Sequence, residues 1–141
     1  MEKKILLKIR TEQQLPGDPA ETMELQTVGT LTKRPDCMEI SYEETQMTGL
    51  VGVRTSFFLY GKDRVVLQRS GAELQSRMDF RLGQRDDSLY DVGVGALLLS
   101  VTARRMRVEP EQGYFEFEYD VEVEHTVKGT NVCRVEFRET D

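Results

Sequence analysis

Residues 114–124 read Tyr-Phe-Glu-Phe-Glu-Tyr-Asp-Val-Glu-Val-Glu, an unbroken alternation. Phe115, Phe117, Tyr119, Val121 and Val123 interleave with Glu116, Glu118, Asp120, Glu122 and Glu124. Successive side chains of a strand point to opposite faces, so an extended chain sorts these residues into one apolar and one acidic face. A helix would spread the carboxylates around its whole circumference. The segment is therefore a long antiparallel strand with one buried and one solvated side. Carboxylates in such a row stand about 7 Å apart, a separation that some glycosidases use. Here they lie on the phase opposite to the apolar side chains, which makes them the wet outside of a sheet.

The same period recurs along the chain. Strands are expected at residues 3–11 (Ile5, Leu7 and Ile9 inward), 22–33 (Met23, Leu25, Thr27, Leu31), 37–46 (Met38, Ile40, Tyr42, Glu44) and 51–60 (Val53, Thr55, Phe57, Leu59). They continue at 64–69, 72–82 (Leu74, Ser76, Met78, Phe80, Leu82), weakly at 89–94, then at 97–108 and 132–139 (Cys133, Val135, Phe137). Gly29 falls on an inward phase, which points to a bend or a close backbone approach. Turns or loops are expected at 13–19, 34–36, Thr48-Gly49, 61–63, Ser70-Gly71, the polar stretch 84–87, 109–113, and around Lys128-Gly129. The leucines at 97–99 suggest a strand start buried on both faces or covering a barrel end. The outward face of 72–82 is basic, unlike that of 114–124. Opposite charges on neighbouring strands stabilise pairing by about 0.2–1 kcal/mol per pair.

No segment sustains a 3.6-residue apolar period. A short helix fits only within 92–103, where Gly and β-branched residues disfavour it. Nine or ten strands spaced about 8–12 residues apart indicate an all-β barrel or sandwich. Short turns favour an up-and-down meander, and closure removes exposed edges. The expected fold is a single antiparallel β-barrel of about eight to ten strands, forming one domain over residues 1–141.

The chain has no run of about 20 apolar residues, so no membrane span is expected. Its start carries only Ile5, Leu6 and Leu7 in sequence, against the roughly 7–15 apolar residues of a signal peptide. With 25 acids against 19 bases the net charge is −6, which disfavours nucleic acid and anionic membrane as partners. Cys37 and Cys133 have no metal-type or redox-type spacing, so two free thiols in a cytoplasmic setting are expected, Cys133 as a small core residue.

Few residues carry candidate chemistry. Residues 91–96, Asp-Val-Gly-Val-Gly-Ala, lack the third glycine and the helix of a dinucleotide loop and read as a strand break. His125 is the one histidine and reads as a surface turn residue. Neither a metal site nor a cofactor is indicated. The informative residues are polar ones on apolar phases: Thr27, Glu44, Thr55, Arg69 and Ser76, with Tyr42 and Tyr119. A buried acid or arginine must be paired, and Glu44 and Arg69 are candidates for each other. They are either a buried structural pair or polar anchors of a ligand cavity.

The order of Gly29, Tyr42-Glu43-Glu44, Thr55, Arg69-Ser70-Gly71, Met78, Phe80, Tyr90, Thr102, Gly113 and Tyr119 resembles a bacterial family of unknown function, DUF1934 or YwiB-like. The resemblance runs from about residue 22 onward. It implies a calycin-type, lipocalin-like closed barrel and no activity. The expected function is non-enzymatic binding of a small, partly apolar molecule, with Tyr42, Glu44, Thr55, Arg69 and Tyr119 as ligand-binding residues. A cavity on the order of 300 Å³ would favour it. The alternative is an interaction module, such as a homodimer, using outward Phe58, Tyr60 and Tyr114. An enzyme using Glu44 or a tyrosine as acid–base ranks last, because no nucleophile–base pairing or metal spacing supports it.

Overall fold

The structure, a computed structural model, describes residues 2–15, 17–45, 50–91 and 93–140, with Val127 described by its backbone alone. Within them ten strands follow one another: β1 (Glu2–Gln14), β2 (Glu21–Lys33), β3 (Met38–Glu43), β4 (Arg54–Tyr60), β5 (Arg64–Ser70), β6 (Gln75–Arg81), β7 (Arg85–Asp91), β8 (Ala96–Glu109), β9 (Tyr114–Val123) and β10 (Val127–Glu139). Each pairs antiparallel with its neighbours in sequence, and β1 pairs with β10, so the meander closes. The expected up-and-down barrel is thus a closed ten-stranded one. Among the described residues no helix is long and apolar enough to cross a membrane.

Antiparallel order gives the barrel two distinct ends. At the lower end β1 starts beside the end of β10, and Lys3 meets Glu139 at 2.9 Å. The β1–β2, β3–β4, β5–β6, β7–β8 and β9–β10 connections all lie at the upper end.

Register stacks the inward residues into rows. On one wall, Met38, Leu59, Val65 and Phe80 form the lowest row and Ile40, Phe57, Leu67 and Met78 the next. On the opposite wall, Ile9, Val135, Phe115 and Val108 are cross-strand neighbours, as are Thr11, Cys133, Phe117 and Met106 above them. Phe57 meets Phe115 edge-on with centroids 5.2 Å apart, and Phe80 lies 4.6 Å from Phe117. Such aromatic pairs add about 0.5–1.5 kcal/mol each beyond their buried area. The lower interior is therefore filled.

Gly29 explains itself at the β2–β3 crossing. A Cβ there would lie 2.5 Å from the Ser41 carbonyl oxygen and 2.6 Å from Leu7 Cδ1. The two backbones approach closely only because that atom is missing.

Several expectations are corrected. The polar stretch 84–87 is mostly strand β7, whose inward positions carry Asp86 and Ser88 instead of apolar groups. The Asp86 carboxylate accepts the Asp79 backbone N–H at 3.0 Å, and β6 and β7 pair only at Gln75 and Asp91. The turn expected around Lys128-Gly129 is part of β10; the reversal falls at Glu124 and His125, both with positive φ. The leucines at 97–99 are not buried on both faces: they project toward the upper end of β8, and Leu97 is 43% exposed. The helix allowed for within 92–103 is absent, since β8 begins at Ala96. A bulge between Ala103 and Arg105 shifts the alternation, so Met106 and Val108 face inward although Val101 and Ala103 also do. The break at Thr48-Gly49, and Pro16 and Val92 of two further turn segments, lie outside the described residues.

The acidic face of β9 is matched by its true neighbours β8 and β10, not by the basic face of 72–82. Glu116 pairs with Arg134 at 3.0 Å, Glu118 with Arg105 at 3.1 Å, Asp120 with Arg104 at 2.6 Å and Glu122 with Lys128 at 3.7 Å. Exposed pairs of this kind contribute about 0–1 kcal/mol each, so they favour register more than stability.

Candidate functional site

The top inward rows are polar. Tyr42, Thr55, Arg69 and Ser76 are cross-strand neighbours on β3 to β6, and Gln13, Asn131, Tyr119 and Ala103 are neighbours on β1, β10, β9 and β8. Between these rows lies an interior cavity of about 260 Å³. Its polar lining includes Gln13, Tyr42, Glu44, Arg69, Tyr119 and Asn131, and its apolar lining Ile9, Leu25, Phe57, Leu67, Phe117 and Cys133. Half-exposed Met23 stands at its rim. The volume is a little below the 300 Å³ mark and suits a small ligand.

Four of the five expected residues, Tyr42, Glu44, Arg69 and Tyr119, line this cavity, and the fifth, Thr55, is joined to it through Glu44. Glu44 follows the last residue of β3, and its N–H still bonds the Val53 carbonyl at 2.8 Å. That bond fixes the side chain over the interior, where it is 6% exposed. Thr55 Oγ1 donates to Glu44 Oε2, whereas Oε1 has no protein partner. The expected Glu44–Arg69 ion pair does not form. Arg69 Nε is also buried without a partner, although the guanidinium sits centrally enough to act on Tyr42, Tyr119 and Cys133. The strands hold Arg69 beside Thr55 in the row; Thr55 bonds Glu44 Oε2, while Glu44 Oε1 and Arg69 Nε each stay without a partner.

The ionisable groups around them are held neutral. Burial pushes the Tyr42 hydroxyl well above its usual range, and the nearby Glu44 charge adds to this, while Arg69 works against it. Burial raises Tyr119 likewise and pushes the Cys133 thiol up to about 12. At neutral pH these groups are hydrogen-bonding and packing groups, not nucleophiles.

Asn131 was missed, because the turn expected around Lys128-Gly129 hid the start of β10. Its Nδ2 donates to the Tyr119 hydroxyl at 3.2 Å, and its Oδ1 is buried without a partner. Running the alternation of Cys133, Val135 and Phe137 back by two residues would have placed it inward. Ser76 Oγ, beside Arg69, is a further unpartnered atom. Thr27 is not among the residues that line the cavity; it pairs with Leu7 and borders a separate pocket of about 700 Å³.

Other candidates stay apart. His125 is exposed in the β9–β10 turn, with Nδ1 3.2 Å from Arg85. Of residues 91–96, Asp91 ends β7, Ala96 begins β8, and the Asp91 carboxylate accepts the Gly93 N–H at 2.9 Å. Both cysteines are free. Among the described residues no group of three His, Cys, Asp or Glu could hold a metal. Of the outward aromatics, Tyr60 is covered by Arg64 at 4.5 Å and Tyr114 by Arg107 at 5.4 Å. Phe58 is half-buried.

A filled lower half beneath an unsatisfied polar upper layer defines a closed β-barrel with an internal cavity. The chain belongs to the DUF1934 family, described as a domain of unknown function, whose model matches residues 7–135. Its fold is similar to that in the crystal structure of the ywiB protein from Bacillus subtilis, with a TM-score of 0.77 at 18% identity, covering 96% of this chain and 92% of that one. No curated protein matches the chain.

Proposed function

We propose that this protein is a non-enzymatic barrel that binds one small, partly apolar molecule inside its upper half, in the manner of calycins. The observation that carries this reading is the cavity lined by Glu44, Arg69 and Asn131, each of which keeps one buried polar atom (Oε1, Nε and Oδ1) without a protein partner. Leaving such an atom unsatisfied costs about 1–3 kcal/mol, so a fold that keeps three in one small cavity reserves them for something else. The apolar walls supply affinity and the polar atoms orientation. The raised tyrosine and thiol pKa values speak for binding over catalysis.

Native mass spectrometry of protein purified from its host tests this. A stoichiometric small-molecule adduct, released on denaturation and lost in Arg69→Met, is expected. A bare chain mass under gentle conditions, unchanged by exposure to a host small-molecule extract, overturns it. A bare dimer mass would point to the outer face instead.

A further inference from the structure

Resting on the cavity reading above, we propose that the ligand's head group is uncharged and presents a hydrogen-bond donor beside an acceptor, as an amide or lactam edge does. Three observations lead here. First, among its described polar side chains the inward-facing cavity surface holds one acid, Glu44, and one arginine, Arg69. Glu12, at the rim, is committed to Arg134 at 3.0 Å on the outside. The interior charges therefore cancel. A carboxylate head would approach Arg69 only by also approaching Glu44, and an ammonium head would meet the reverse conflict. In a small apolar cavity neither conflict is screened by water.

Second, the free valences are of both kinds. Glu44 Oε1 and Asn131 Oδ1 can only accept, so they require N–H or O–H groups on the ligand. Arg69 Nε–H can only donate, so it requires an acceptor on the ligand, which a carbonyl oxygen supplies. A molecule with an acceptor alone, such as a ketone or ester, leaves Glu44 and Asn131 unmet; an alkane leaves all three. Third, the cavity is walled in part by rings. Tyr119 stacks on Phe117 at 5.6 Å, and Phe57 and Tyr42 line the facing wall. A flat or cyclic body fits such walls better than a long chain, which the filled floor would stop.

The test uses four probes that share one ring: benzamide, benzoate, benzylamine and toluene. Each is titrated into the full-length, ligand-stripped protein, with dissociation constants read from two-dimensional NMR shifts of the Tyr119 and Asn131 backbone amides. Benzamide is expected to bind at least tenfold tighter than the other three. Glu44→Gln removes the negative charge and should shift preference toward benzoate by tenfold or more, whereas Arg69→Met should shift it toward benzylamine. The wild-type ranking stands even if a variant fails to fold. Benzoate, benzylamine or toluene binding tightest to the wild type overturns the head-group proposal while leaving the cavity reading intact. No shift with any probe overturns it too, and if the native mass is also bare the cavity reading falls with it.

Discussion

Replacing Glu44, Thr55 and Arg69 together by Met, Val and Met should make the ligand-free barrel more stable while abolishing binding. Glu44 is 6% exposed and Thr55 0%, and the carboxylate has one satisfied and one unsatisfied oxygen. Exchanging a buried polar set for apolar groups of similar volume is often neutral or stabilising by about 1–4 kcal/mol. Arg69 is only partly buried, so the lower half of that range, roughly 1–2 kcal/mol, is expected here. At about 3–5 °C per kcal/mol for a chain of this length, Tm rises by roughly 3–10 °C. Glu44→Met alone should do the opposite. It leaves the buried Thr55 hydroxyl without its acceptor and costs about 1–3 kcal/mol. The three sites therefore act as one unit, and their single effects will not add. Urea unfolding followed by far-ultraviolet circular dichroism and tyrosine fluorescence measures this, because the chain has no tryptophan. A triple variant less stable than the wild type by more than about 1 kcal/mol would refute the reasoning. The polar rows would then be a structural brace, and the unsatisfied atoms would be met by bound water.

Three further outcomes are expected. Gly29→Ala should cost about 1–3 kcal/mol in the same unfolding assay, because the new methyl meets the Ser41 carbonyl inside a paired strand; a change below about 0.5 kcal/mol would show that β2 and β3 can part there. Burial pushes the Asp79 carboxyl up, but the two-pronged Arg64 contact, at 3.0 and 2.8 Å, outweighs it and holds the carboxyl below its ordinary value of 3.8. Its stabilising contribution is therefore full above pH 3.8 and is lost as pH falls through the lower folded value, so wild type and Asp79→Asn should differ at pH 7 and converge in strong acid. A thiol-reactive disulfide reagent at pH 8 should modify Cys37 slowly and Cys133 only after unfolding; two fast-reacting thiols in the native protein would contradict the buried position of Cys133.

The wall of the barrel is easier to read from sequence than its upper interior. In β9, β1 and β4 the apolar residues of one phase lie against packed rows, so period two is written without interruption. In β7 it is not, because Asp86 and Ser88 hold the inward phase beside a strand with which β7 scarcely pairs; without an apolar stripe a strand looks like a loop. The extra residue of the Ala103–Arg105 bulge is equally invisible, since a one-residue shift resembles the end of a pattern. The candidate site was legible because burying an acid or an arginine is costly enough to mark Glu44 and Arg69 on an apolar phase. Their failure to pair was not. It depends on where the barrel's register sets two side chains of different strands, which no local pattern reveals. Asn131 stayed hidden because Lys128-Gly129 carries turn chemistry, whereas the tight reversal is made by Glu124 and His125 in a conformation such residues seldom adopt.

The antiparallel closure that puts the start of β1 and the end of β10 together at the lower end also fixes how the molecule can be handled. A tag, a surface linkage or a fused domain attached through either end hangs from the filled base, with the full height of the barrel between it and the rim at Met23. A protein tethered this way presents its mouth outward, so capture on a solid support leaves ligand entry unobstructed. An insertion in the 71–74 connection, beside Arg69, would instead sit over the entrance and act as a stopper.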